Sequence, residues 1–171
     1  MGTVSALSAR DIWSIVDTVS PATGLTQMVR VLRWNGIAWR PVVSQPRLPK
    51  YATLSALVAQ SPQNIWVGGR PNSRMGTSVL ARHWNGRRWQ QASPSTAATS
   101  DGYAFDSAVT DGHGGLWVIR AAEPGTFQVR HYAESGTFHI WHYADGRWST
   151  SADFPSGLLF ELAAVPHTSA E

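Results

Sequence analysis

Apolar and polar residues alternate along this chain in short runs, and the runs are divided by stretches rich in Gly, Pro, Ser and Asn. A period of two marks strands that bury one face, whereas a helix repeats its apolar positions every three or four residues. No segment holds the helical period over three turns, so the chain reads as all-β. The first third predicts strands over 4–7, 12–16, 28–34 and 38–43. The second predicts 54–59, 65–68, 79–84 and 88–92. The last predicts 105–109, 116–120, a strand ending at Tyr143 after a long stretch without a clear pattern, and 147–150. Turn chemistry separates them, as at Pro21-Ala22-Thr23-Gly24, Gly69-Arg70-Pro71-Asn72 and Ser93-Pro94-Ser95.

The strand pattern is itself repeated. Asp11-Ile12-Trp13, Asn64-Ile65-Trp66 and Gly115-Leu116-Trp117 recur at about fifty residues. Each is followed by an aromatic pair five apart around a turn: Trp34 and Trp39, Trp84 and Trp89, Tyr143 and Trp148. Sheet units of this period stack on one another, and four antiparallel strands with an aromatic face describe a β-propeller blade. The expected architecture is one propeller region over 1–171, with blades at about 4–44, 52–93 and 104–151. Residues 158–166 align with the first strand of each blade and open a further one. Three blades and a fraction leave edges and aromatic faces exposed, so a partial ring or half of a dimeric ring completed by self-association is expected. A partial ring is favoured, because 158–165 would compete with 4–7 in a simple dimer. If Asn35-Gly36 is a two-residue type I′ loop, Trp34 faces Ile37 and Leu32 faces Trp39, which makes the two tryptophans diagonal neighbours. Asn85-Gly86 follows suit. In the third repeat Asp145-Gly146 sets Tyr143 directly opposite Trp148, as though the turn had slipped by one residue.

Ser-Ala-x-Asp-Ile-Trp at 8–13, with His-Trp-Asn-Gly-x-x-Trp at 83–89, resembles the degenerate propeller repeats of many actinobacterial and related exported proteins. Asp111-Gly112-His113-Gly114-Gly115-Leu116-Trp117 is similar to the Asp-x-x-Gly-x-x-Trp turn of bacterial sensor-type propellers. The resemblance implies a secreted bacterial protein with an extracellular or cell-surface recognition role. It brings no catalytic residues with it.

Charge narrows the partners. The formal net charge of +3 comes from fourteen basic residues, all arginine except Lys50, against eleven acids. The arginines are scattered over every repeat, without a basic stripe or recognition helix, so nucleic acid is not expected as a partner. No apolar run reaches the length of a membrane span, and residues 1–5 lack the features of a signal peptide. With no cysteine, disulfides, thiolate zinc sites and thiol catalysis are excluded.

The groups that could carry chemistry have structural explanations. His139 and His142 lie three apart on a predicted strand and so point to opposite faces, which argues against a metal site. The glycines after Asp111 lack the helix and Lys-Ser/Thr pair of a phosphate loop and read as a tight turn. No Gly-x-Ser-x-Gly elbow occurs, and the acids show no paired spacing. Catalytic residues, metal and cofactor are all expected to be absent. Function is expected in the rim loops between second and third strands and between blades. The third repeat departs from the period there and contains Arg130, His131, Tyr132 and Glu134, while Arg70, Arg74 and Tyr103 lie in corresponding loops. Aromatic and arginine side chains make good anchors for proteins and sugars. The chain is therefore expected to be a non-enzymatic recognition or scaffolding module for a protein or cell-surface glycan. The alternative is part of an exported hydrolase or lyase whose active site needs further blades.

Overall fold

A computed structural model describes residues 3–22, 24, 26–71, 80–92, 102–123 and 138–154. Twelve strands form three four-stranded antiparallel sheets, each a simple meander, and these are the three expected blades of a β-propeller. Blade one contains β1 (Val4–Ser8), β2 (Asp11–Val19), β3 (Thr26–Trp34) and β4 (Trp39–Pro41). Blade two contains β5 (Thr53–Ser61), β6 (Asn64–Arg70), β7 (Leu80–Trp84) and β8 (Trp89–Gln91). Blade three contains β9 (Gly102–Thr110), β10 (Leu116–Glu123), β11 (Phe138–Ala144) and β12 (Arg147–Phe154). The unpatterned stretch of the third repeat thus ends in β11, while the proposed strand at 158–166 lies outside the described residues.

Blade two lies between the others, with β5 against β1 on one side and β9 on the other. Each seam has its own core. Trp13, Ile15 and Val31 of blade one pack on Leu57, Ile65 and Val67 of blade two. Ala56, Val58, Trp66 and Ala81 of blade two pack on Leu116 and Val118 of blade three. Alternation along each strand divides blade two between the seams. Ile65 and Val67 face blade one, while Trp66 faces blade three.

Local chemistry repeats with the blades. The turn into each second strand is closed by a hydroxyl that accepts from the backbone amide two residues on: Ser8 from Arg10, Ser61 from Gln63 and Thr110 from Gly112. Such turns spare the chain a longer loop and fix the entry of the tryptophan strand. The connection after blade one is also anchored. The Gln45 side chain accepts from the Val31 amide and donates to the carbonyls of Val31 and Val42, and Arg82 Nε donates to the Arg47 carbonyl.

The hairpins correct the expected register. Trp34 lies directly opposite Trp39 and Trp84 directly opposite Trp89, not diagonally. The Asn35 amide donates to the Ala38 carbonyl, and Asn35 Oδ1 accepts from the amides of Ile37 and Ala38, so the two-residue turn is Gly36-Ile37. Asn85 does the same for Gly86-Arg87. An Asn whose side chain caps its own turn does not have to occupy it, which is why reading Asn-Gly as the turn failed. In blade three Tyr143 does lie opposite Trp148 around Asp145-Gly146. The turn therefore keeps its place in all three blades, and only the glycine moves, from first to second position. Gly36 and Gly86 have φ of 90° and 85°, and a Cβ on either would press on Arg10 or Gln63 of the neighbouring turn.

Candidate functional site

Register places one three-part unit in every blade. Trp13, Trp66 and Trp117 stand opposite Arg33, His83 and His142 respectively. Each partner covers its indole: the Arg33 guanidinium sits 5.2 Å from the Trp13 ring, and the imidazoles of His83 and His142 stack at 4.2 and 4.0 Å. A side-chain oxygen then holds the covering group. Asp11 takes Arg33 in a two-bonded pair at 2.7 Å, Asn64 Oδ1 bonds His83 Nε2 at 2.8 Å, and Asp111 Oδ2 bonds His142 Nε2 at 2.8 Å.

Asp11 and Asn64 lie two residues before their tryptophan, where blade three has Gly115. A Cβ at Gly115 would overlap the Asp111 carboxylate, which reaches into that space from the preceding turn and also accepts from the amides of His113 and Gly115. The glycine makes room for a carboxylate delivered from elsewhere in the chain.

Protonation follows from these partners. Burial lowers the pKa of His83, which favours the neutral ring. For Asp111, burial works upward, but the bonds from His142, His113 and Gly115 outweigh it and hold the carboxyl below its ordinary value. The bond to Asp11 raises the Arg33 pKa against a smaller opposing effect of burial. Arg33 is thus a fixed cation.

A cleft of about 610 Å³ opens at the seam between blades one and two. Arg33 and Arg40 come from the blade-one hairpin, and Trp84, Trp89 and Arg87 come from the blade-two hairpin. Arg33 and Arg40 are directly paired across β3 and β4. The Trp84 and Trp89 rings lie 5.8 Å apart in a tilted arrangement. Both are fixed through their indole N–H groups, Trp84 to the Pro62 carbonyl and Trp89 to the Ser44 carbonyl of the connection between blades. The cleft therefore has Trp84 and Trp89 on one wall and Trp13 under Arg33 on the other, guanidinium groups on both, and a backbone held by strands and tight turns. Such a surface can stack on a flat apolar face and donate hydrogen bonds to oxygen acceptors. No group of three or more potential metal ligands occurs among the described residues.

Of the anchors expected from the loops, Arg74, Arg130, His131, Tyr132 and Glu134 lie outside the described residues. Tyr103 belongs to β9, and exposed Arg70 ends β6. The cleft lies at the other end of that strand, beside Gln63, about 20 Å from Arg70 by strand rise alone. The sequence reading passed over Arg33, Arg40 and Arg87, although a signal was present. Arg33-Trp34, His83-Trp84 and His142-Tyr143 put a cationic or imidazole side chain before the hairpin aromatic in every repeat.

No protein-family model matches the chain, and no curated protein matches it. Among solved structures it is similar to a fucose lectin from Kordia zhangzhouensis in complex with methyl-fucoside. That similarity has 10% sequence identity and a TM-score of 0.47, and covers 88% of this chain and 98% of the lectin.

Proposed function

We propose that this chain is a non-enzymatic recognition module that holds a saccharide in the cleft between blades one and two. The observation that supports this reading is the cleft itself, where Trp84 and Trp89 meet Arg33, Arg40 and Arg87 on a fixed β framework. The apolar face of a sugar ring stacks on an indole, while its oxygens accept from guanidinium N–H groups. Because both tryptophans are already tied to backbone carbonyls, little freedom remains to be lost on binding. A recognition role also agrees with the exported setting implied by the repeat motifs, which fractionation of the native host would check.

The test is a glycan array probed with wild type, a cleft variant (Arg40→Gln with Arg87→Gln) and a loop variant (Arg130, His131, Tyr132 and Glu134 all to Ala). The reading expects wild type to capture a defined set of glycans, the loop variant to keep them, and the cleft variant to lose about tenfold or more in affinity. Loss confined to the loop variant would move the site to the rim. Absence of any glycan capture by folded wild type would remove the saccharide reading and leave a protein partner as the alternative.

A further inference from the structure

Arg33 and Arg40 face each other directly across β3 and β4. Like charges in that position destabilise a sheet, because the cross-strand pair is the closest side-chain approach the ladder allows. Asp11 offsets one charge by its two bonds to Arg33. Neither the Arg40 nor the Arg87 guanidinium has a partner among the described residues, and no carboxylate lines the cleft. Corresponding positions elsewhere lack the cations. Opposite His83 stands Gln90, opposite His142 stands Ser149, and the turn position of Arg87 is Ile37 in blade one and Gly146 in blade three. The blade framework thus does not need these arginines, and their convergence on one seam costs stability without an internal return.

Resting on the saccharide reading above, we infer that the ligand of this cleft is an acidic saccharide, whose carboxylate or sulfate lies between Arg40 and Arg87 while a ring face stacks on Trp84 or Trp89. Arg33, already held by Asp11, supplies a fixed positive wall. An unpaired arginine presents a planar fork of donors that matches the oxygens of a carboxylate or sulfate, and the resulting bonds are stronger than those to hydroxyls. An uncharged sugar would leave both forks without their best acceptors. Acidic and neutral sugars are therefore separated by charge as well as by shape.

Isothermal titration calorimetry tests this with four probes: a galacturonic acid trimer, the same trimer fully methyl-esterified, a sulfated heparin tetrasaccharide, and a short polyglutamate peptide. Wild type should bind the acid trimer or the sulfated tetrasaccharide at least about tenfold more tightly than the ester, and the two acidic probes tell carboxylate from sulfate. That preference should shrink with added salt and disappear in the Arg40→Gln, Arg87→Gln double variant, both sites being exposed and the fold being checked by circular dichroism. Equal binding of acid and ester would overturn the acidic ligand while leaving the saccharide reading intact. Polyglutamate binding as tightly as the acidic sugars would overturn it by making the cleft a general anion surface. No saccharide binding at all would remove the parent reading together with this one.

Discussion

At the seam between blades two and three, Trp66 is covered by His83 from its own sheet and met edge-on by Tyr143 and Trp148 of the next. At the seam between blades one and two, the equivalent Trp13 is covered by Arg33 and borders a cleft of about 610 Å³. The frames correspond strand for strand, and the covering group is one place where they differ. Burial favours the neutral form of His83, and a neutral ring can be enclosed without an uncompensated charge. Arg33 cannot shed its charge, and even with Asp11 beside it the side chain stays 42% exposed. Both indoles are nonetheless buried, Trp13 at 3% and Trp66 at 2% exposure, so the charged cover sits at the edge of a packed seam. The covering residue at this repeated position is thus one difference between the two seams, beside Arg40 and Arg87, which stand where the second seam has Gln90 and Gly146.

The contrast can be broken most forcefully at its packed side. Trp66 is 2% exposed and touches residues of two blades, so Trp66→Ala should cost about 3 to 5 kcal/mol in a urea titration. Trp39 stands at the outer hairpin of blade one, 44% exposed and in ring contact with Trp34, and Trp39→Ala should cost less, about 1 to 2 kcal/mol. Similar losses for both would mean that the seam is not where the stability lies. Arg33→Gln should cost about 1.5 to 3 kcal/mol in the same urea titration, since it leaves Asp11, only 15% exposed, without its two-bonded partner.

Gly115→Ala sharpens the comparison next. Its Cβ would overlap both the Asp111 carboxylate and the Tyr143 backbone carbonyl, and crowding of this kind costs about 1 to 3 kcal/mol. Its thermal midpoint should therefore fall below that of wild type. An unchanged midpoint would show that blade three accommodates the added methyl group.

A smaller effect separates the covers by pH. Because the folded pKa of His83 is lowered, the folded state binds fewer protons than the unfolded chain once pH falls below the ordinary value of 6.5. The stabilising contribution is complete above that value and is lost as pH drops through it toward the depressed folded pKa. Asp111 is also lowered, so its contribution is complete above 3.8 and is lost only at more acid pH. Denaturation midpoints from pH 7.5 to 5 should therefore fall in wild type and flatten in His83→Gln. An unchanged slope in that variant would show that His83 is not the titrating cover.

Much of this frame was legible in the sequence. The tryptophan period placed all three blades, because strand alternation and turn residues are local signals that need no knowledge of the partner sheet. Tyr143 opposite Trp148 was read correctly, since Asp145 and Gly146 both adopt positive φ, 50° and 77°, as that turn requires. Trp34 and Trp39 were set diagonally because Asn35 looks like a turn residue but acts as a cap. The cleft was not found, and the reason is geometric. Arg33 and Arg40 are seven positions apart and meet only through the hairpin register, and Arg87 joins them only when blade two stacks on blade one. Arginines scattered along a repeat sequence can converge in a stacked fold, and counting them along the chain conceals this.

The most direct test of a site at the first seam follows the tryptophan indole N–H signals in a two-dimensional ¹H–¹⁵N spectrum as galacturonic acid trimer, or whichever glycan the array identifies, is added. Nine such signals are expected from the chain and are assignable by single substitution. The account predicts saturable shifts at Trp84 and Trp89, with Trp117 and Trp148 unmoved. Shifts at Trp117 and Trp148 with Trp84 and Trp89 silent would contradict it and place recognition elsewhere on the molecule.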